Sequence, residues 1–171
     1  MENVNVINIM RSIRIADKLD LEHIHRTIGG KLYRGRPEML ILTMSNGRHV
    51  QLFRRGTVQI LGRLRECEAQ DMRQELLQRL QIVTTNPLLI SNIVVRAQLK
   101  NPLHLQKITQ SNGNVFYEIE LFPAVLIRKW HPAHIALFHN GKLILTGIKS
   151  VDTCQEIFSH LLDYLRELNS S

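Results

Sequence analysis

The apolar and polar positions of this chain follow one pattern twice. An apolar strand opens each half, at 4–15 and again at 88–99. A short helix follows, at 20–29 and then 103–110. Asp20 suits the N-cap of the first, and Pro102 sits where the start of the second accepts a proline. Three strands with tight turns come next. In the first half they are 39–44, 48–53 and 57–62, turned by Ser45-Asn46-Gly47 and Arg54-Arg55-Gly56. In the second they are 124–130, 134–138 and 142–147, with His139-Asn140-Gly141 as a turn and Ser111-Asn112-Gly113-Asn114 breaking the chain before them. A longer helix closes each half, at 66–81 and 151–168. Ile157, Leu161, Leu162, Leu165 and Leu168 form one stripe of the last helix, with Asp152 near its positive end.

Individual residues recur with the pattern. Asn8, Leu19, Leu21, Ile24 and Tyr33 return 84 residues later as Asn92, Leu103, Leu105, Ile108 and Tyr117. Phe53, Gly56 and Gly62 return 85 residues later as Phe138, Gly141 and Gly147. The repeats divide at 1–86 and 87–171, and no linker rich in Pro, Gly or Ser separates them. Two similar lobes about a pseudo-twofold axis are expected. A partner that is itself roughly twofold suits such a shape, and duplex DNA is the commonest one.

Strand parity assigns faces, because residues two apart share a side. Asn92 with Val94, Ala136 with Phe138, and Ile144 with Thr146 fall together. Ile93, Leu137, Leu143 and Leu145 fall opposite, under the helices. One sheet face is thus covered, and the other carries apolar and uncharged polar side chains without cover. An open face of that kind implies a partner.

Composition narrows the choice. The 171 residues are 44% hydrophobic, enough for a core, and no apolar run approaches the ~20 residues of a membrane span. No secretory leader opens the chain, so a soluble intracellular protein is expected. Cys67 and Cys154 form no zinc spacing and read as half-buried helix thiols. Formal charge is +7, with 14 basic and 9 acidic side chains in 1–86 against 8 and 6 in 87–171. A basic balance favours polyanions such as nucleic acid. Eight histidines fix no metal site: His23 and His25 lack further ligands, and His131 with His134 reads as a hairpin turn around Pro132. No nucleophile–base set, phosphate loop or carboxylate pair appears, so no enzyme, cofactor or metal is expected.

The stretch 117–149, YEIELFPAVLIRKWHPAHIALFHNGKLILTGIK, resembles the core of the TATA-box-binding protein family, as does ISNIVV at 90–95. NIM at 8–10, KLDL at 18–21 and FRRGTVQILG at 53–62 are weaker counterparts. The resemblance implies an α+β fold: two tandem repeats forming a saddle-shaped antiparallel sheet of ten strands, with helices on the convex side. It implies a concave face set in the DNA minor groove, phenylalanines wedged between base steps, and a kinked duplex, which is that family's own known mode.

Carried over by position, the resemblance assigns the groove to Asn92, Val94, Phe122, Pro123, Phe138, Ile144 and Thr146 in the second repeat, with Asn8 and Phe53 in the first. Arg128, Lys142 and Lys149 take the phosphate positions, and Ala136 replaces a leucine. The first repeat departs. Its other wedge position holds Pro37 or Glu38, where an acidic Glu38 would be repelled by phosphates. Gln51 and Gln59 replace a leucine and a valine, and Leu61 replaces a threonine. Thr43, Thr57 and Leu64 fill basic positions, with Arg54 and Arg55, and Arg63 and Arg65, near enough to restore charge. Glu118, Glu120 and Leu121 form the loop that contacts transcription factor IIB in the family. The helix at 66–81, basic in the family, here mixes Glu66, Glu68, Asp71 and Glu75 with Arg65, Arg73 and Arg79, which puts other transcription factors on the convex helices in doubt.

Two functions are compatible with these residues. One is a nuclear, or viral, transcription initiation factor on promoter DNA, not necessarily a standard TATA box, that recruits a factor-IIB-like protein. The alternative is a scaffold of the same fold that has lost normal TATA binding and acts through protein contacts, for which Glu38, Gln51 and Gln59 argue. A remnant of a nuclease or glycosylase has no catalytic residues behind it.

Overall fold

A computed structural model describes residues 4–111, 115–130 and 133–170. Of the expected break at 111–114, Ser111 is the last residue of a helix and 112–114 lie outside the described residues; of the expected hairpin turn, His134 belongs to a strand, and His131 and Pro132 lie outside the described residues. In chain order the elements are β1 Asn5–Arg14, α1 Leu21–Ile28, β2 Lys31–Tyr33, β3 Met39–Thr43, β4 His49–Phe53, β5 Thr57–Gly62 and α2 Glu66–Leu80. The second series is β6 Leu89–Gln98, α3 Leu105–Ser111, β7 Val115–Phe116, β8 Ala124–Trp130, β9 Ala133–Phe138, β10 Lys142–Ile148 and α4 Val151–Ser170. The alternation of apolar residues anticipates all but β2 and β7, which hold three and two residues, too few for a readable period.

Close contacts divide the chain into two units, Ile9–Ser91 and Asn92–Ser171 with Met1–Asn8. The first-repeat strands run in the order β2-β3-β4-β5-β1, and the second-repeat strands in the order β6-β10-β9-β8-β7. The pairings within each series are antiparallel.

Period-two burial separates two faces in each unit. In the first, Leu40, Leu42, Val50, Leu52, Val58 and Ile60 are fully buried in one cluster with Leu21 of α1 and Ala69, Met72 and Leu76 of α2. In the second, Ile93, Leu137, Leu143 and Leu145 are completely buried, as is Leu161 of α4. Asp20 caps α1: the His23 N–H donates to its Oδ1 at 2.9 Å, and that bond holds the Asp20 carboxyl below its usual pKa. The start of α3 falls at Leu105, beyond Pro102. Cys67 is exposed on α2 and Cys154 buried on α4, so neither is half-buried; desolvation pushes the Cys154 thiol pKa up. No described helix is long and apolar enough to cross a membrane.

Candidate nucleic-acid interface

The uncovered face of the second-repeat unit collects most of the predicted site. Register sets Leu126 of β8 opposite Ala136 of β9, Ala136 opposite Ile144 of β10, and Ile144 opposite Arg96 of β6. Thr146 lies opposite His134. Around Ala136 a shallow hollow of about 150 Å³ opens, walled by Leu126, Arg128, His134, Ile144 and Thr146. A leucine at 136 would fill much of it.

Phe122 and Phe138 stand together at one end of this face. Their rings meet edge-on at 5.7 Å, 65° between planes, an arrangement aromatic pairs favour. Phe122 is 42% exposed, and Phe138 is half-buried. The turn before β8 places Phe122: its own N–H and that of Leu121 both donate to the Glu118 carbonyl, at 2.9 and 3.0 Å. Pro123 follows, also exposed. The strand register explains why Phe138 stays accessible, because its cross-strand neighbour is the small Ala124.

Asn92 is oriented by the backbone. The β6–β10 register shifts between Leu145 and Ile148, and Gly147 in that interval adopts φ +85°. The Gly147 N–H donates to Asn92 Oδ1 at 2.7 Å. With its carbonyl occupied, Asn92 presents its amide N–H groups, and Val94 follows on the same side. Thr146 and Asn92 therefore offer donors beside an apolar row.

Cations flank the face. Lys142 Nζ lies 5.2 Å from the Phe138 ring centre, and the Arg128 guanidinium lies 4.7 Å from that of Phe116. Lys149 is exposed. Arg96 and Phe116 were not singled out in the sequence. Arg96 shares parity with Asn92 and Val94, so the signal was present; Phe116 belongs to the two-residue β7, where no period shows.

The first-repeat unit uses the same scaffold differently. Phe53 faces Met39 across β3–β4, where Phe138 faces Ala124. The bulkier neighbour leaves Phe53 only 7% exposed, with the Arg55 guanidinium 5.6 Å from its ring centre. Arg54 points away from that pair. It donates to Glu38 at 2.7 and 2.9 Å and to Glu22 at 3.1 and 3.3 Å. Those two carboxylates hold the guanidinium pKa above its ordinary value. Glu38 is thus an ion-pair partner of Arg54. Leu64 is buried, and the Thr43 hydroxyl lies 3.2 Å from His49 Nδ1. Asn8 lies in β1, half-buried. Replacing Arg54 with alanine is expected to lower the melting temperature and leave DNA affinity and its salt slope unchanged. Calorimetry with a binding titration checks this; a shallower salt slope would make Arg54 a phosphate contact.

Glu118, Glu120 and Leu121 are all exposed on the turn that carries Phe122, and Leu121 is 80% exposed. On α2 the charges are largely taken up. Glu66 accepts from the buried Arg11, Glu68 from Arg65, and Arg73 donates to the carbonyls of Thr84 and Asn86.

Comparison with known proteins gives one consistent result. Residues 88–168 match the family model described as transcription factor TFIID, or TATA-binding protein. The TATA-box-binding protein of Picrophilus torridus is 30% identical over 91% of this chain and 90% of its own length. That of Natronomonas pharaonis is 28% identical over 98% and 95%. The solved structure of Methanococcus jannaschii TBP superimposes with a TM-score of 0.77 at 24% identity, covering 96% of this chain and 99% of that one. The last likeness shows the fold.

Proposed function

The chain belongs to the TATA-box-binding protein family, and from that premise we propose that it is a transcription initiation factor entering the minor groove of promoter DNA chiefly with its second repeat. The observation that carries this reading is the Phe122–Phe138 pair, edge-on and accessible at the end of an apolar row, beside donors on Asn92 and Thr146. The minor groove of A·T pairs displays only acceptors. Amide and hydroxyl donors on an apolar face suit it, and two rings can enter a base step and offset lost stacking with a bent groove. Arg128, Lys142 and Lys149 would hold phosphates on that half.

A factor-IIB-like protein is the partner we propose for the exposed turn of Glu118, Glu120 and Leu121. Regulators on the helices find little free charge on α2, whose Glu66, Glu68 and Arg73 are engaged in internal hydrogen bonds. The reading is of a binding protein with no catalytic step, cofactor or metal. The named relatives are archaeal; we place this chain with the DNA of its cell, in a nucleus where the cell has one.

The buried Phe53 and the paired Arg54 favour a second reading, the scaffold that no longer grips DNA with its first half. Salt separates the two. Each phosphate neutralised contributes roughly −0.9 to the slope of log affinity against log salt. Contacts by Arg128, Lys142 and Lys149 alone therefore predict a slope near −3. Fluorescence anisotropy with an A·T-rich duplex measures it. Undetectable binding at low salt, or a flat dependence, gives the scaffold.

A further inference from the structure

One row of the first-repeat face has changed its chemistry as a set. Register places Ile41 opposite Gln51, Gln51 opposite Gln59, and Gln59 opposite Ser12. The equivalent row of the second unit is Leu126, Ala136, Ile144 and Arg96. Leu126, Ala136 and Ile144, apolar up to Arg96, stand in one unit where Ile41 is followed by two amides and a hydroxyl in the other. Directly opposed residues on one face lie close enough to act together.

Gln51, Gln59 and Ser12 are half-buried, and no hydrogen bond joins their side chains to the described residues. Polar atoms in that position cost free energy when a partner covers them unless it supplies hydrogen bonds. The two amides bring two donors and a carbonyl acceptor each. Joined by one N–H to carbonyl bond, they still leave one carbonyl and three N–H groups unmatched. An A·T pair offers the minor groove acceptors only, so that carbonyl would go unmatched. A G·C pair adds the guanine N2 amino donor beside its acceptors and matches both. Over the apolar row of the second unit the same amino group would find no acceptor and would be buried unpaired.

We propose that the half of the duplex under the first repeat takes G·C pairs, read by Gln51 and Gln59, while the half under the second repeat excludes them. The inference rests on the minor-groove reading above and adds the sequence class that reading leaves open. Ser12 supports it sterically, because a small side chain at the end of the row leaves space for the protruding amino group.

Inosine gives the test. An inosine·cytosine pair lacks the N2 amino group and presents an A·T-like minor groove. An A·T duplex carrying a single G·C or single inosine·cytosine pair, moved stepwise across the site, is titrated with the full chain at low salt. On one side of the site G·C is expected to bind at least as tightly as inosine·cytosine. On the other it should bind about tenfold more weakly, the usual scale of one wrong pair. The double variant Gln51→Leu with Gln59→Val is expected to make the tolerant side disfavour G·C relative to inosine·cytosine by a similar factor, whatever its effect on binding to both. Rejection of G·C at every position while A·T duplex still binds overturns the inference and spares the minor-groove reading. An unchanged ratio in a folded double variant overturns it too, and the scan of the unaltered chain needs no variant to fold. Failure to bind any duplex removes both.

Discussion

Replacing Phe122 and Phe138 together with alanine is expected to abolish bending of duplex DNA and weaken binding by at least about 30-fold. Stacking of one aromatic side chain on a base contributes roughly 1–3 kcal/mol by alanine substitution, so two rings acting together remove roughly 2–6 kcal/mol. The loss should fall on bending before affinity, because the lysine and arginine contacts survive the change. Neither ring belongs to the buried core, so circular dichroism should report a folded variant. Phe53→Ala is the informative control. That ring is 7% exposed against Met39, and its loss should cost stability on the scale of a core truncation, roughly 3–5 kcal/mol, with bending retained by whatever fraction stays folded. End-to-end energy transfer on a labelled duplex measures the angle. A doubly substituted protein that bends DNA as well as the original removes the wedge mechanism.

That contrast between Phe53 and Phe138 marks where sequence reading stops. The recurrence at 85 residues placed both rings on the same scaffold position; strand parity put Phe138 on the uncovered face, and the family resemblance put Phe53 there. Parity reports a side and not a depth. Depth depends on the residue across the strand, Met39 for one ring and Ala124 for the other, and that pairing needs a register. Arg54 is a similar case. Its neighbours in sequence suggest a free basic turn, whereas its partners Glu22 and Glu38 come from α1 and from the segment before β3. Glu38 looks misplaced beside a phosphate-lined groove only while Arg54 is left out. The face assignments of β6, β9 and β10 were legible because long alternating strands carry a strong period. The two-residue β7 and its Phe116 carry none. Gln51 and Gln59 were visible as departures one at a time; their adjacency, which turns two oddities into a ladder, is a property of the β4–β5 register.

The recurring glycines report the scaffold, and substitution of Gly56 should be among the most damaging single changes to the first unit. Gly56→Ala is expected to destabilise the protein by more than about 3 kcal/mol, against about 1 kcal/mol for Gly47→Ala. Both glycines adopt positive φ, +79° and +75°, so both substitutions carry the left-handed penalty. They differ in surroundings. A Cβ at Gly47 meets nothing within 4 Å, whereas one at Gly56 would fall on the Ala16 carbonyl. That close approach is a crossing of two chain segments. Gly56 N–H donates to the Phe53 carbonyl at 2.9 Å, Ile15 N–H to Gly56 at 2.9 Å, and Leu19 N–H to Arg54 at 2.8 Å. The second unit repeats it: Gly141 N–H to Phe138 at 3.0 Å, Leu99 N–H to Gly141 at 2.9 Å, Leu103 N–H to His139 at 2.8 Å. There the added Cβ would sit 2.8 Å from the Asn101 carbonyl oxygen, a milder clash, so Gly141→Ala should fall between the other two in urea unfolding. It should also disturb the turn that carries Phe138 and reduce DNA bending in the folded fraction, which Gly47→Ala should not. Equal stability of Gly56→Ala and Gly47→Ala would show that the crossing gives way without cost, and the shared spacing would then need a cause other than this contact.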